Sequence, residues 1–285
     1  MPDTSFIIPL ILQSALIPFA VALGLLFALR RLPLLALVPA IALAGGFIAA
    51  YFAAFHTQWS AVPHTATDWL PYIALFGVIG ALASENAPQA ATRLLSRLVI
   101  SLVAVTLVVW PALASLGTTK AVALAGAAAV LITMAWTLLA ASGESRPTPA
   151  PLLAIVAGGA GMVLMMDSSA ALGQSSGALA AALAACTLFN LPRARAAFSA
   201  TATGTAVLLL GVLLTNAYLY ASFSPVYLAL LIGALLADPV VAGVDHLRRR
   251  EGGAGSWITA AVLTAVPVLT TIGLAVKTMQ ESGGY

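Results

Sequence analysis

The chain has 285 residues, of which 61% are hydrophobic and only 7% charged, and its mean hydropathy is +1.05. Soluble proteins carry about a quarter of their residues as charges, so a water-facing surface is excluded and lipid is the solvent that fits. The net charge of +3 and the isoelectric point near 9.3 do not point to nucleic acid, because the bases stand in short connections where the topology rule for membrane proteins accounts for them.

The N-terminal segment MPDTSFIIPL has no basic region ahead of its apolar run, and that run continues to Arg30. It is too long for the core of a signal peptide and predicts a retained first span. Further along, apolar runs bounded by polar or charged breaks lie at about 6–29, 34–55, 69–84, 98–117, 121–141, 151–168, 171–190, 196–221, 223–237 and 257–276. Runs of this kind cross about 30 Å of hydrocarbon as helices, the only open-ended element whose backbone is satisfied within itself. The expected fold is therefore an all-α polytopic membrane protein of about ten transmembrane helices, forming one integral membrane domain over 1–285. Nearly forty apolar residues from Leu152 to Leu191 are split into two spans by the turn chemistry of DSSAALGQSSG.

Arg30, Arg31, Arg93, Arg97, Arg146, Arg193, Arg195, Arg248, Arg249 and Arg250 all fall on one side of this scheme, and only Lys120 and Lys277 on the other. The bias predicts an N-out, C-out protein with its basic loops in the cytoplasm, in the inner (cytoplasmic) membrane of a bacterium. Trp59, Trp69 and Trp110 then mark the outer interface and Trp257 the inner one.

Two segments read alike: PYIALFGVIGALASE at 71–85 and PVYLALLIGALLAD at 225–238. Their flanks echo as well, AYFAAF with AYLYASF and PALASLG with PVLTTIG. The correspondence predicts a parallel internal repeat, helices 1–4 recurring as 7–10, with repeat units 5–117 and 171–277 linked by helices in 118–170. Helices drawn from few apolar residue types also imitate one another through composition alone. Both copies should be short helices ending in an acid, Glu85 and Asp238, at the same face. A carboxylate at a helix C-terminus opposes the dipole. Each acid is therefore read either as the cap of a following interfacial helix, at Asp238-Pro239 or at Ser84 to Asn86, with nearby arginines as partners, or as a gate or ion site.

Asp167 is the acid expected nearest membrane depth, in a span as a proton or cation site or in the turn that follows it. Asn216, Thr264, Thr270 and Thr271 are the polar residues within spans that would line a substrate or ion pathway, if they do not simply bond neighbouring helices. Arg248, Arg249 and Arg250 read as an anchor to lipid headgroups. No metal site and no cofactor is expected: Cys186 is the only cysteine, the three histidines are scattered, and haem-ligating pairs are missing. The motifs of metalloproteases, serine hydrolases and nucleotide-binding loops are missing too, so catalysis is not the leading expectation. The reading that emerges is a small secondary-transporter-like protein of unstated substrate, with the lipid bilayer as its surroundings. Its alternative is a non-catalytic subunit or anchor of a larger redox or other membrane complex, which would have other membrane subunits, or a second copy, as partners.

Overall fold

In the computed structural model, residues 4–31, 36–143, 149–191, 198–247 and 254–281 are described. Among them there is no strand, and ten helices are long and apolar enough to cross a membrane. They are α1 (Ile8–Leu29), α2 (Val38–Phe55), α3 (Thr67–Glu85), α4 (Ala90–Leu116), α5 (Thr118–Ser142), α6 (Ala150–Asp167), α7 (Ala170–Phe189), α8 (Ala200–Tyr220), α9 (Pro225–Leu247) and α10 (Ser256–Glu281). The chain is built as a multi-pass, all-α membrane protein.

Prolines open several of these helices, where a missing N–H leaves no intrahelical bond unmade. Pro39, Pro151 and Pro225 stand in the first turn, and Pro71 stands in the first α-helical turn of α3, directly after the tighter turn Thr67–Trp69. Pro18 is different, because it lies inside α1, and the turn before it widens into a π-helical stretch from Leu12 to Leu16. That widening absorbs a ring that an α-helical turn would not accept. The turn between α6 and α7 is set by Ser169, whose side chain accepts from the Leu172 N–H as the cap of α7.

The helix at the centre is α8. Buried residues make up 78% of its most apolar stretch, against 17% for α1 at the edge. Around α8 stand α2, α3, α4, α5 and α7; α1 packs outside α2 and α7, and α10 packs on α6 and α9. The closest pair is α6 with α7, where a Cβ on Gly161 would lie 3.0 Å from both the Gly173 carbonyl oxygen and the Gly177 nitrogen. Small residues let these backbones approach, which is how helices associate where hydrophobic burial offers little.

Two helices depart furthest from their expected bounds. The fourth starts at Ala90 instead of about 98, because the polar stretch Thr92–Arg97 is helical and buries Arg97 against its neighbours. The ninth runs beyond 237, as two pieces, Pro225–Leu235 and Ala237–Leu247, with a break at Leu236. Its first piece leans on α10 and α6, and its second on α10 and α5.

Alternate crossings put Trp59, Trp69 and Trp110 on one face of the bundle, and Arg30, Arg31, Glu85 and Arg93 on the other. These are called the tryptophan face and the basic face. Arg146, Arg193 and Arg195 fall outside the described residues, as do the proposed anchor residues Arg248, Arg249 and Arg250.

On the tryptophan face the connection between α2 and α3 is pinned by Asp68. Its buried carboxylate accepts from the backbone N–H groups of His64 and Thr65, at 3.0 and 2.9 Å, and from the Tyr51 hydroxyl at 3.5 Å. The Tyr72 hydroxyl adds a bond to the Ala61 carbonyl at 2.8 Å. Removing the acceptor by Asp68→Ala leaves buried donors unmatched and is expected to cost about 1–3 kcal/mol. Limited proteolysis of 56–66 should become faster in this variant, and an unchanged cleavage rate would show that the carboxylate does not hold the loop.

Candidate functional site

The two acids of the echoed segments both lie at the basic end of the bundle, and both are tied to α5. Glu85 closes α3. Its Oε1 accepts from Arg97 Nε at 3.2 Å and from Nη2 at 2.7 Å, and the pair is largely withdrawn from solvent, with side-chain exposures of 15% and 6%. Behind it the Arg97 guanidinium lies 5.4 Å over the ring of Trp136 on α5, close enough for a cation–π attraction. Trp136 is fully buried. Its other flank meets α8 at Gly204, where a Cβ would fall 2.2 Å from the ring. One ion pair and one indole therefore join α3, α4, α5 and α8.

Ser84, Glu85 and Asn86 do not cap the helix that follows. The residue before it is Gln89, which makes no capping bond, while the Ser84 hydroxyl donates to the Arg93 carbonyl at 3.3 Å. Of the alternatives read from the sequence for Glu85, pairing with arginine is the geometry found.

Asp238 stands in the first turn of the second piece of α9, where its negative charge faces the positive end of the helix dipole. It is buried, and the Ser142 hydroxyl at the end of α5 donates to its Oδ2 at 2.8 Å. Beside it a void of about 10 Å³ is lined by Asp238, Thr264, Leu139 and Leu153. Such a space is at the lower limit for one water molecule and cannot hold a solute. Thr264 is buried, and its hydroxyl has no partner among the described residues. The rest of the second piece is amphipathic, with Val241 buried and Val240 and Leu247 exposed. A bond from Ser256 to Asp245 ties it to α10.

The remaining candidates do not converge on this point. Asp167 is exposed at the tryptophan-face end of α6, bonded to the Ser168 hydroxyl at 3.2 Å. Asn216 lies toward the same face of α8, 2% exposed, with its Nδ2 unmatched among the described residues. Thr271 shares the buried side of α10 with Thr264 and donates to the Pro267 carbonyl at 2.7 Å. Thr270 faces outward and bonds its own helix at Val266. It is not brought to the other two, because adjacent helical residues point about 100° apart. Among the described residues no group of three or more His, Cys, Asp or Glu side chains could hold a metal ion.

Arg97, Trp136 and Ser142 were not singled out from the sequence. Arg97 reads as one more loop base, yet an apolar run interrupted only by Ser101 follows it directly in RLVISLVAV. An arginine that opens such a run was the available sign of a buried charge seeking a partner. Comparisons with protein-family models, with curated proteins and with solved structures gave no match.

Proposed function

We propose that the protein is a small secondary-transporter-like protein of the inner membrane, its basic face in the cytoplasm and its termini outside, whose pathway runs alongside α8. The observation that carries this reading is the central helix itself. It buries Thr201, Thr203 and Thr205 near one end and Thr215 and Asn216 near the other, on either side of an apolar middle, more polar groups than lipid contact explains. At its cytoplasmic end the pathway is closed in this conformation by the Glu85–Arg97 pair and the Ser142–Asp238 bond. Among the described residues Arg30, Arg31, Arg93 and Arg97 against Lys120 and Lys277 support the orientation. The parallel repeat rests on the sequence echo; α3 packs along α4 as α9 packs along α10, and α3 packs along α8 besides.

Cysteine accessibility tests this without a known substrate. On a Cys186→Ser background, Asn216→Cys should react with a membrane-impermeant thiol reagent from outside. Thr205→Cys should react from the cytoplasmic side once Glu85→Gln and Asp238→Asn are added, and a cysteine appended to the C-terminus should react from outside. Failure of both α8 positions to react from either side would reject a pathway, and a cytoplasmic C-terminus would reverse the orientation.

A second reading, a subunit of a larger membrane complex, is favoured by small residues that face outward. Gly24, Gly126, Gly233 and Gly273 have open space where a side chain would be, and Ala123 and Ala127 flank Gly126 on an exposed face of α5. Helices meet in membranes through such faces. Purification in mild detergent separates the two readings: stoichiometric partners support the subunit, a lone monomer or homodimer the transporter.

A further inference from the structure

An apolar groove lies between α5, α8 and α9, and it follows from the break in α9. Because the first piece of that helix leans toward α10 and α6, it stands away from α5 and leaves α8 visible between them. The resulting groove has a volume of about 180 Å³, its walls formed by Leu124 and Leu131 of α5 and by Leu228 and Ile232 of α9, with Leu210 and Leu214 of α8 as its floor. Its polar groups are few. The Thr215 hydroxyl is already committed to the Gly211 carbonyl at 2.7 Å, and the half-exposed Tyr218 sits at the end toward the tryptophan face.

We propose that this groove is a lipid site, holding one acyl chain of a phospholipid from the leaflet on the tryptophan face. Length supports this occupant. From Leu124 to Ala135 the wall rises about 16 Å at roughly 1.5 Å per residue, close to the depth of one leaflet, about half of 30 Å. Position agrees as well: the groove opens sideways to the bilayer, begins at the interface, and carries at its mouth a tyrosine, a residue that settles at headgroup level. An annular lipid on a convex helix face has no such walls, so the chain in the groove should exchange more slowly than its neighbours. The site does not depend on whether the protein is a transporter or a subunit.

The test uses the full chain reconstituted into phosphatidylethanolamine and phosphatidylglycerol vesicles doped with a phospholipid carrying a photoreactive diazirine near the end of one chain. After illumination, the adducts found by mass spectrometry should fall at least five-fold more often on the groove walls and floor than on the exposed faces of α1, α4 and α10. Ala127→Trp, which places an indole in the groove, should abolish that excess, while Ala123→Trp, on the same helix outside it, should not. If Ala127→Trp fails to fold, Leu228→Trp serves in its place. Adducts spread evenly over all exposed faces would mean ordinary annular lipid and would overturn the proposal. In a second sample, with undoped vesicles and a photoreactive diazirine amino acid replacing Leu131, a protein-to-protein crosslink would report a partner helix or a second copy, and that result would overturn the proposal.

Discussion

Arg97→Ala is expected to be the most damaging single substitution in the described bundle, lowering stability in detergent by about 3–5 kcal/mol. The loss comes from what remains. The carboxylate of Glu85 is only 15% exposed, and without the guanidinium it must either stay charged with no partner or take up a proton. Trp136 also loses the cation over its ring, worth about 1–2 kcal/mol when desolvated. Arg97→Lys should rescue little, because an ammonium cannot place two donors on one oxygen and cover an indole at once. The informative partner is the double variant Glu85→Leu, Arg97→Met, which removes both charges and keeps much of the volume. Buried pairs replaced in this way are often neutral or more stable by about 1–4 kcal/mol, so the double variant should recover most of the loss while the single one does not. Thermal unfolding of the wild type, Glu85→Leu, Arg97→Met and the double variant, arranged as a double-mutant cycle, measures the coupling. A coupling near zero would show that the pair adds nothing to the fold beyond its two separate side chains.

The second large effect is expected at the contact of α6 with α7. At Gly161 an added methyl would meet only backbone, the Gly173 oxygen and Gly177 nitrogen at 3.0 Å and the Gly177 Cα at 3.4 Å. Backbone cannot swing aside as a leucine terminus does, so the helices must part. Gly161→Ala is expected to cost about 1–3 kcal/mol as overpacking, and Gly161→Val more. Parting also strains the bond from the Ser176 hydroxyl to the Ala157 carbonyl, 2.8 Å long and one turn away. Ser176→Ala alone should therefore cost about 1 kcal/mol but add less than that on top of Gly161→Val. By contrast Gly126→Ala, where a methyl meets nothing within 4 Å, should be neutral or slightly stabilising through helix propensity. Equal melting temperatures for Gly161→Ala and Gly126→Ala would refute the close-packing account.

How far the sequence could be read differs from one feature to the next, for physical reasons. The ten spans were legible because in lipid a helix needs a long apolar run, and such runs show in composition. Even the division of Leu152–Leu191 was legible, since Asp167, Ser168 and Ser169 supply turn and capping groups within an apolar stretch. The start of α4 was not, because Arg93 and Arg97 look like loop residues until their partners in space are known, and Glu85 and Trp136 stand 12 and 39 positions from Arg97. The echo of the third and ninth spans made Glu85 and Asp238 visible as a pair, and both do lie at the basic end, Glu85 against Arg97 of α4 and Asp238 against Ser142 of α5. An arginine partner for Glu85 was legible as a class, while the choice of Arg97 and the serine hydroxyl among the ties of Asp238 were beyond any single-sequence pattern. For Thr264, Thr270 and Thr271 the grouping followed residue type and left out the helical period, which turns Thr270 away.

The enclosed position of α8 has a consequence for how the protein is made. Five of the helices that surround it, α2 to α5 and α7, precede it in the chain, and membrane helices enter the bilayer in the order of synthesis before they assemble. When α8 emerges, its neighbours are already present and its place among them must still be accessible from the side. Its threonines and Asn216 reach their final surroundings by lateral movement between helices that have begun to associate, so the wall around it has to close after it and not before. A chain stopped within the connection ahead of residue 198 would leave the surfaces that receive α8, Gly77 of α3 and Trp136 of α5 among them, turned toward lipid. Such a fragment should be recognised by membrane quality control as unfinished, although all seven of its helices are inserted.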